Sequence, residues 1–462
     1  MKTVANITYP AIAVFALACF AFSPGARAVS PPPDGDYPGG NTAEGDSALF
    51  SLTSGTYNTA VGLSSLQGDT VGSFNTATGA RALLVNAGNQ NTATGAEALL
   101  SNSSGSFNTA NGALALLSNT TGLRNTVNGY AALYSNISGS DNTATGVRAL
   151  FSNTTAGGNT ANGSSALQND TTGSNNTAIG WDALFSNTIG IENTADGVQA
   201  LFKNTRGGQN TANGVDALYR NTNGSENTAN GNEALQNNTI GSYNTAIGAA
   251  ALGTNTTGSY NIGVGATAGF NVTTATNVIA IGADGNNVSN SCYIGNIFGA
   301  TSSGGAAVFV NSNGRLGTVI SSRRFKEEIR PAGKASEGLY ALQPVTFHYR
   351  RGVDPEGTSA PQFGLVAEDV EKVSRDLVVR GKDGKPYSVR YDQVNAMLLN
   401  EFLKEHRKME KLQNAFQTTV AQQQKEIRTL TTQLKEQATE IQEVKAQVEL
   451  RKPVPQTVAN DR

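Results

Sequence analysis

The chain has 462 residues, of which 52 are glycine and only 15% are charged, and its formal net charge is −2. This length and composition exclude one ordinary globular domain and favour a repetitive architecture. Between positions 29 and 300 there are 6 Lys and Arg against 15 Asp and Glu, which excludes a basic nucleic-acid-binding stripe in that part of the chain. After residue 300 the counts are 25 and 20, so a domain boundary is predicted near Ala300.

Residues 1–28 have the pattern of a secretory signal peptide. Lys2 precedes an apolar run that ends at Phe22, and an A-x-A site follows and ends at Ala28. Cleavage is predicted after Ala28, which leaves residues 29–40 as a Pro/Gly linker and gives a secreted or cell-surface product. Two prolines leave the apolar run too short for a membrane anchor, so no transmembrane anchor is predicted in the mature chain.

Cysteine usage is compatible with export. A lipoprotein cleaved at Cys19 is an alternative to the signal peptide. If Cys19 is removed, Cys292 has no intrachain disulfide partner, and stability must come from packing and from oligomerisation. Cys292 itself is expected to be a small buried apolar residue.

Residues 41–300 repeat with a period of 17 residues and one step of 16. The consensus is N-T-A-x-G-x-x-A-L-x-x-N-T-x-G-S-x, from Asn41 to Asn261. Seventeen residues with two Gly-containing turns cannot hold a two-helix repeat, but they can hold one coil of a β-solenoid. N-T-A-x is predicted to be a strand, and A-L-x-x-N a second strand or one helical turn. The recurring asparagine is predicted to form a hydrogen-bonded ladder along the stack.

Each coil carries little apolar side chain. It has an alanine, an Ala-Leu pair and, in some coils, an aromatic residue such as Tyr57, Phe74, Phe107 or Tyr243. This is little burial to set against the loss of backbone entropy. Three rods are therefore expected to pack side by side and bury these rows together, as a homotrimeric β-solenoid (β-roll).

The repeats resemble the head repeats of YadA-like trimeric autotransporter adhesins, most clearly in YNTAIG and VIAIG. The resemblance implies a fibre that binds a surface, another cell or a glycan, although the period in that family is usually shorter.

Ice binding is an alternative for the rod, because Thr76 and Thr78 form a T-x-T pair, yet most coils have Asn or Ile at the second place. No carboxylate pair recurs, so a glycosidase is not predicted. No cofactor or metal is predicted either.

The region after the repeats is predicted to be a small α+β module followed by a long helix. Residues 301–320 read as a connecting hairpin with a turn at Asn313-Gly314. The other predicted elements are a short helix at 336–342, a strand at 345–350, a strand running into a helix at 362–373, and a hairpin at 376–392.

The long helix is predicted to begin at Gln393, with Asp392 as its N-cap. A heptad seam predicts a coiled coil over residues 413–450, and glutamine within the seam favours a parallel trimer over a strict dimer. Residues 451–462 read as a polar tail. The seam consists of Val420, Gln423, Ile427, Leu430, Leu434, Gln437, Ile441, Val444 and Val448.

Four blocks of this region, SSRRFKEEIRP, ALQPVTFHYR, QFGLVAEDVEKV and YSVRYDQVNAMLLNEFLKEH, resemble the peptidase S74 family of intramolecular chaperone and auto-processing domains. The resemblance covers residues 321–412. It implies a domain that trimerises its passenger and then cuts itself off with a Ser-Lys dyad, without turnover on other substrates. By motif, Ser321 would be the nucleophile and Lys326 the general base, with the cut between Ile320 and Ser321. Glu368 is a candidate supporting residue.

The residues themselves set the conditions for this chemistry. A serine needs a base, and a lysine serves as one when burial lowers its pKa. An offset of five residues places Ser321 and Lys326 apart on a regular helix or strand, so they meet only across a bend or between chains. The family usually has Asp after the serine, where this chain has Ser322. The alternative is a permanent trimer clamp that does not cut, in which Lys326 belongs to a solvated basic face.

Overall fold

The computed structural model of the chain describes residues 37–350 and 360–452. The predicted signal peptide, residues 29–36 of the predicted linker, and residues 453–462 of the predicted tail lie outside the described residues. The fold is mostly β. Two compact units divide between Thr301 and Ser302, and each is described by itself.

The first unit is a β-solenoid of parallel strands, as the repeat predicts. Each coil contributes one short strand, and 16 strands form a single sheet in chain order. Neighbouring strands pair in register, as Thr194 does with Thr211. The register continues through the 16-residue coil, where Thr76 pairs with Thr92. The strands are β1 Thr42–Glu44, β2 Thr59–Val61, β3 Thr76–Thr78, β4 Thr92–Thr94, β5 Thr109–Asn111, β6 Thr126–Asn128, β7 Thr143–Thr145, β8 Thr160–Asn162, β9 Thr177–Ile179, β10 Thr194–Asp196, β11 Thr211–Asn213, β12 Thr228–Asn230, β13 Thr245–Ile247, β14 Ile262–Val264, β15 Val278–Ile281 and β16 Ser291–Ile294.

The glycine that follows most of the strands is required by close packing as well as by its backbone angle. Gly163 has a φ of 150°. A β-carbon at this position would lie 2.2 Å from the carbonyl oxygen of Gly180 in the next coil. Side chains are therefore excluded at this corner, and the strand cannot extend past it.

The expectation of a second strand or a helical turn in A-L-x-x-N is wrong. This segment is a tight turn in which the leucine takes a left-handed backbone conformation, with φ of 52° at Leu150 and at Leu218. Its amide bonds to the next coil, as from Leu150 N to the carbonyl oxygen of Ala166 at 3.0 Å. The left-handed conformation costs roughly 1–2 kcal/mol. Burial of the leucine side chain offsets it by about 1.5–3 kcal/mol.

The same turn folds each leucine into the interior of its own coil. The leucines from Leu66 to Leu252 at this position are 0% exposed in a single chain. The expectation that three rods must pack together to cover the leucine row is therefore wrong. The aromatic residues, in contrast, lie on the outer face of the single chain: Tyr57 is 62% exposed and stacks on Phe74, with ring centroids 5.1 Å apart.

The predicted asparagine ladder is confirmed, and a second ladder accompanies it. In the first, formed by the asparagine of N-T-A, the Asn193 side chain donates to Asn176 Oδ1 at 3.1 Å and accepts from the Asn210 backbone amide at 3.0 Å. In the second, formed by the last residue of A-L-x-x-N, Asn221 Nδ2 donates to Asn204 Oδ1 at 2.8 Å. Both ladders are buried, so the interior polar groups of one coil are satisfied by the next.

Cys292 is exposed, so its expected burial is wrong. It lies on β16 and pairs with Ile279, the second residue of β15. The residues on either side of Ile279, Val278 and Ala280, are the buried ones on that strand. The alternation along the strand therefore places the sulfur on the outer face.

In its described residues, 302–350 and 360–452, the second unit contains three antiparallel strand pairs and two α-helices, and the predicted hairpins and strand-to-helix segment are confirmed. Its five-residue core is made of Val370, Leu377, Val378, Val389 and Val394. The elements are β17 Val308–Val310 with β18 Leu316–Thr318, β19 Val345–Phe347 with β20 Gln362–Gly364, β21 Val378–Arg380 with β22 Pro386–Val389, α1 Ala367–Val373, α2 Tyr391–Leu450, and 3₁₀ segments at Arg323–Phe325, Gly333–Ala341 and Arg375–Leu377.

The long helix α2 begins two residues earlier than predicted. Arg390 occupies the N-cap position without a side-chain capping bond, so the assignment of Asp392 as N-cap is wrong. Asp392 lies in the first turn instead, where a carboxylate interacts favourably with the helix dipole. Within the described ranges, no helix has both the length and the apolar character needed to cross a membrane.

We expect Asn193→Ala to destabilise the solenoid, because it leaves the buried backbone amide of Asn210 without an acceptor and removes the hydrogen bonds that the Asn193 side chain donates to Asn176 and Gly207. Each orphaned buried group costs about 1–3 kcal/mol. Asn213→Ala is the matched control, since Asn213 is exposed at the end of β11, and its effect should stay within about 0.5 kcal/mol. Chemical unfolding of the two variants measures the difference. Equal loss of stability in both would contradict the assigned role of the ladder.

Candidate functional site

The candidate site lies at the start of the second unit, where a single 3₁₀ turn separates Ser321 from Lys326. The turn spans Arg323–Phe325, with Ser322 before it and Lys326 after it, both in extended conformation. The Phe325 amide donates to the Ser322 carbonyl oxygen at 3.0 Å and closes the turn. This is the bend that the five-residue offset requires.

The turn brings the two predicted dyad residues into hydrogen-bond contact in one chain. Lys326 Nζ donates to Ser321 Oγ at 3.1 Å. Both side chains are exposed in the single chain. The pair thus has the separation that proton transfer needs. A single chain does not supply the burial that favours the neutral amine, which is the form of lysine that can accept a proton.

Glu368, the candidate supporting residue, is exposed in the first turn of α1. Within the described residues, no hydrogen bond or ion pair joins it to Ser321 or Lys326. Glu368 instead acts on Lys372, one turn along the same helix, whose pKa is raised mainly by Asp369 and to a smaller extent by Glu368. The structure brings the dyad together without Glu368.

A buried polar cluster next to the module core is a feature that sequence reasoning missed. Glu401 on α2 accepts hydrogen bonds from Ser336 Oγ, from Tyr340 Oη at 2.8 Å and from Lys404 Nζ at 2.8 Å. Asn400 Nδ2 also donates to Ser336 Oγ at 2.6 Å. The cluster fixes the 3₁₀ helix of Gly333–Ala341 against α2. A glutamate among the apolar residues of LLNEFL is the signal that could have identified it.

The donors around Glu401 stabilise its carboxylate. The hydrogen bond from Lys404, followed by that from Ser336, lowers the pKa of Glu401 to about 2 from 4.5. A carboxyl with a lowered folded-state pKa contributes stability above its unfolded pKa and loses it as the pH falls toward the folded value. The cluster should therefore weaken between about pH 4.5 and pH 2.

We expect Glu401→Gln to lower the thermal midpoint of the helical unit at pH 7 and the difference from the unchanged chain to shrink as the pH falls toward 2. The reason is that the carboxylate form is the one the donors stabilise. Circular dichroism of the helix signal across pH measures this. Glu436→Gln, at an exposed position on the same helix, is the control and should have no such effect. A pH-independent difference for Glu401→Gln would contradict the assignment.

The apolar seam of α2 is uncovered along its length. Leu434, for example, is 65% exposed, and the other apolar seam residues from Ile427 to Val448 are similarly exposed. Apolar residues near the dyad are uncovered too: Ile320 is 58% exposed, and Val319, Phe325 and Ile329 are also exposed. An isolated helix with this pattern is typical of one strand of a coiled coil.

The described parts of the chain hold no cluster of His, Cys, Asp and Glu that could bind a metal ion.

Comparison with known proteins bears on this region. Residues 321–379 match the family model Peptidase_S74, described as the chaperone of endosialidase. The predicted relation to that family is confirmed for this segment, and the matched range begins at Ser321. No curated protein and no solved structure matches the chain. The likeness of the repeats to YadA-like heads stays a prediction.

Proposed function

We propose that the chain is the subunit of an exported homotrimeric fibre, in which the C-terminal unit promotes trimerisation and then cuts itself from the solenoid between Ile320 and Ser321. The observation that carries the proposal is the 3.1 Å contact between Lys326 Nζ and Ser321 Oγ, inside the segment that matches the S74 family. Export rests on residues 1–28, which lie outside the described residues.

The proposed cleavage needs only groups of this chain and water. Neutral Lys326 takes the proton of Ser321 Oγ, and the oxygen adds to the carbonyl carbon of Ile320. The intermediate expels the Ser321 nitrogen, which receives a proton from Lys326, and an ester links Ile320 to Oγ. Water then hydrolyses the ester, which leaves a carboxylate on Ile320 and restores the serine hydroxyl.

Copies of the same chain would supply the burial that the dyad lacks. Exposed apolar residues flank the dyad on both sides, and the seam of α2 is uncovered for several heptads. Trimerisation would cover the seam and could shield Lys326 at the same time, so that cleavage waits for assembly. A lysine shielded from water loses its proton more readily, which is the state that a general base requires.

The proposed ligand of the fibre is a surface or a glycan. Several outer aromatic residues of the solenoid stack on each other along the column, as Phe185, Phe202 and Tyr219 do at 5.2 Å. Their faces are therefore partly occupied, so a sugar would approach mainly ring edges or the unstacked Trp181. Which surface is bound stays a prediction.

We expect Ser321→Ala and Lys326→Arg both to leave the chain uncut, whereas the unchanged chain yields a fragment of residues 321–462. Arginine keeps the positive charge but cannot release its proton. The Lys326→Arg variant therefore distinguishes a lysine that acts as general base from one that only forms a solvated basic face. Removal of the base should slow cleavage by about 10²–10⁴-fold. Gel electrophoresis and mass spectrometry of the new ends measure the outcome.

Ser322→Ala is the matched control, because Ser322 is the neighbouring hydroxyl and makes no side-chain capping bond. It should still be cut. Cleavage that persists in Ser321→Ala would rule out the dyad. An unchanged chain that stays at full length as a trimer would instead support the alternative function, a permanent trimerisation clamp.

We expect Leu434→Glu to reduce trimer formation and, with it, the rate of cleavage, since a charge in the apolar seam opposes helix association. Analytical ultracentrifugation and the cleavage assay measure the two effects. Thr432→Glu, which adds the same charge outside the seam, is the control. Normal cleavage by a monomeric Leu434→Glu chain would show that assembly and cutting are independent.

A further inference from the structure

The second ladder contains an aspartate in its middle. Ten of its members from Asn86 to Asn255 are asparagine, and Asp170 stands in line with them, 0% exposed. In a regular rung, Nδ2 donates to Oδ1 of the preceding rung and Oδ1 accepts from the following one, as Asn204 does toward Asn187 at 2.9 Å and from Asn221 at 2.8 Å. A carboxylate has no hydrogen to donate, so it cannot continue this pattern.

The hydrogen bonds on the two sides of Asp170 differ accordingly. Asn187 Nδ2 donates to Asp170 Oδ1 at 2.7 Å, so the bond toward the following coil is made. Toward the preceding coil, Asp170 Oδ2 and Asn153 Oδ1 are both buried, and neither has a hydrogen-bond partner. In a regular rung, an Nδ2 donor occupies the position of Asp170 Oδ2 and bonds to the Oδ1 acceptor of the preceding coil. Here both positions hold acceptors, Asp170 Oδ2 and Asn153 Oδ1.

Two unpaired acceptors in a dry interior are unfavourable, and one added proton removes the problem. A protonated carboxyl group keeps one accepting oxygen and gains one O–H donor, which is the arrangement that the ladder needs. Burial, the main cause, raises the pKa of Asp170 to about 8, against smaller opposing effects of Asn187 and the Gly173 amide.

No charged group contributes to this shift. The side chains in line with Asp170 on the adjoining coils are Asn153 and Asn187, and the first-ladder residues Asn159 and Asn176 are also buried neutral amides. The proton on Asp170 is therefore held by burial and by hydrogen-bond complementarity.

We propose that Asp170 is a neutral carboxylic acid in the folded solenoid, that its Oδ2–H donates to Asn153 Oδ1, and that loss of this proton makes the contact between these two coils a pH-sensitive weak point. The inference does not depend on the proposed fibre function, because it concerns the interior of one chain.

The sign of the pH dependence follows from the raised pKa. Below about pH 4 the carboxyl is protonated in both the folded and the unfolded chain, so it contributes no pH dependence. Between there and about pH 8 the folded chain retains a proton that the unfolded chain has released, so stability falls as the pH rises. Above about pH 8 the carboxyl is ionised in both states, so the lost stability no longer changes with pH.

The test compares Asp170→Asn with the unchanged full-length chain at each pH from 4 to 9. Asparagine restores both bonds of the rung and does not titrate. We expect the thermal midpoint of the variant to exceed that of the unchanged chain by an amount that grows with pH, reaching at least about 3 °C above pH 8. When hydrogen exchange of the two chains is compared at the same pH, the backbone amides of the coils that contain Asn153 and residue 170 should exchange more slowly in Asp170→Asn.

Asp69→Asn is the matched control, because Asp69 is also buried but begins the ladder and only accepts. It receives hydrogen bonds from the Gly72 amide at 2.7 Å and from Asn86 Nδ2 at 3.0 Å, so an amide there gives up an accepting oxygen and restores no bond toward a preceding coil. Burial raises the pKa of Asp69 too, so this control separates the restored hydrogen bond from the mere removal of a buried carboxylate. A midpoint difference for Asp170→Asn that is constant with pH, or a variant less stable at every pH, would overturn the proposal. Infrared spectra provide a second readout, since Asp170→Asn should abolish a protonated-carboxyl band seen in the unchanged chain at pH 6.

Discussion

Each coil of the solenoid must place its buried hydrogen-bonding groups opposite those of the next coil, and the rest of the first unit depends on this match. The asparagine side chains of both ladders donate in one direction and accept from the other, so one register satisfies all of them. A slip by one residue would leave a column of buried polar groups without partners, which is far more costly than any single lost contact.

Because the ladders and the inward leucines complete the interior, the solenoid unit buries its core within one chain. The C-terminal unit differs, since its core has five buried residues and the seam of α2 is exposed to solvent. The exposed apolar seam of α2 and the exposed apolar residues around Ser321 therefore favour association through this unit. This distribution agrees with the role of chaperone that the matched family description gives to residues 321–379.

Periodicity in the sequence was enough to predict the solenoid and the ladder of N-T-A asparagines, and a local Asn-Gly turn was enough to predict the hairpin at Asn313-Gly314. It could not predict the turn at A-L, because a left-handed leucine contradicts local propensity and is stable only when neighbouring coils bury it. The same turn decides where the leucines point, so the argument that three rods are needed to cover the leucine row failed with it. At the candidate site, the motif predicted Ser321 and Lys326. The contact of Glu401 with Ser336 joins residues far apart in sequence, so the glutamate in LLNEFL could indicate a buried acid but not its partner.

The coil that lacks one residue shows how tolerant the stack is to changes in its own length. Its missing position falls in the outer loop, and the strands on either side still pair Thr76 with Thr92. Since each coil recognises only its neighbours, a duplication or loss of one whole repeat in the gene would lengthen or shorten the stack by about 4.8 Å without disturbing any other layer. The length of the solenoid can therefore evolve in steps of one coil, independently of the segments that flank it.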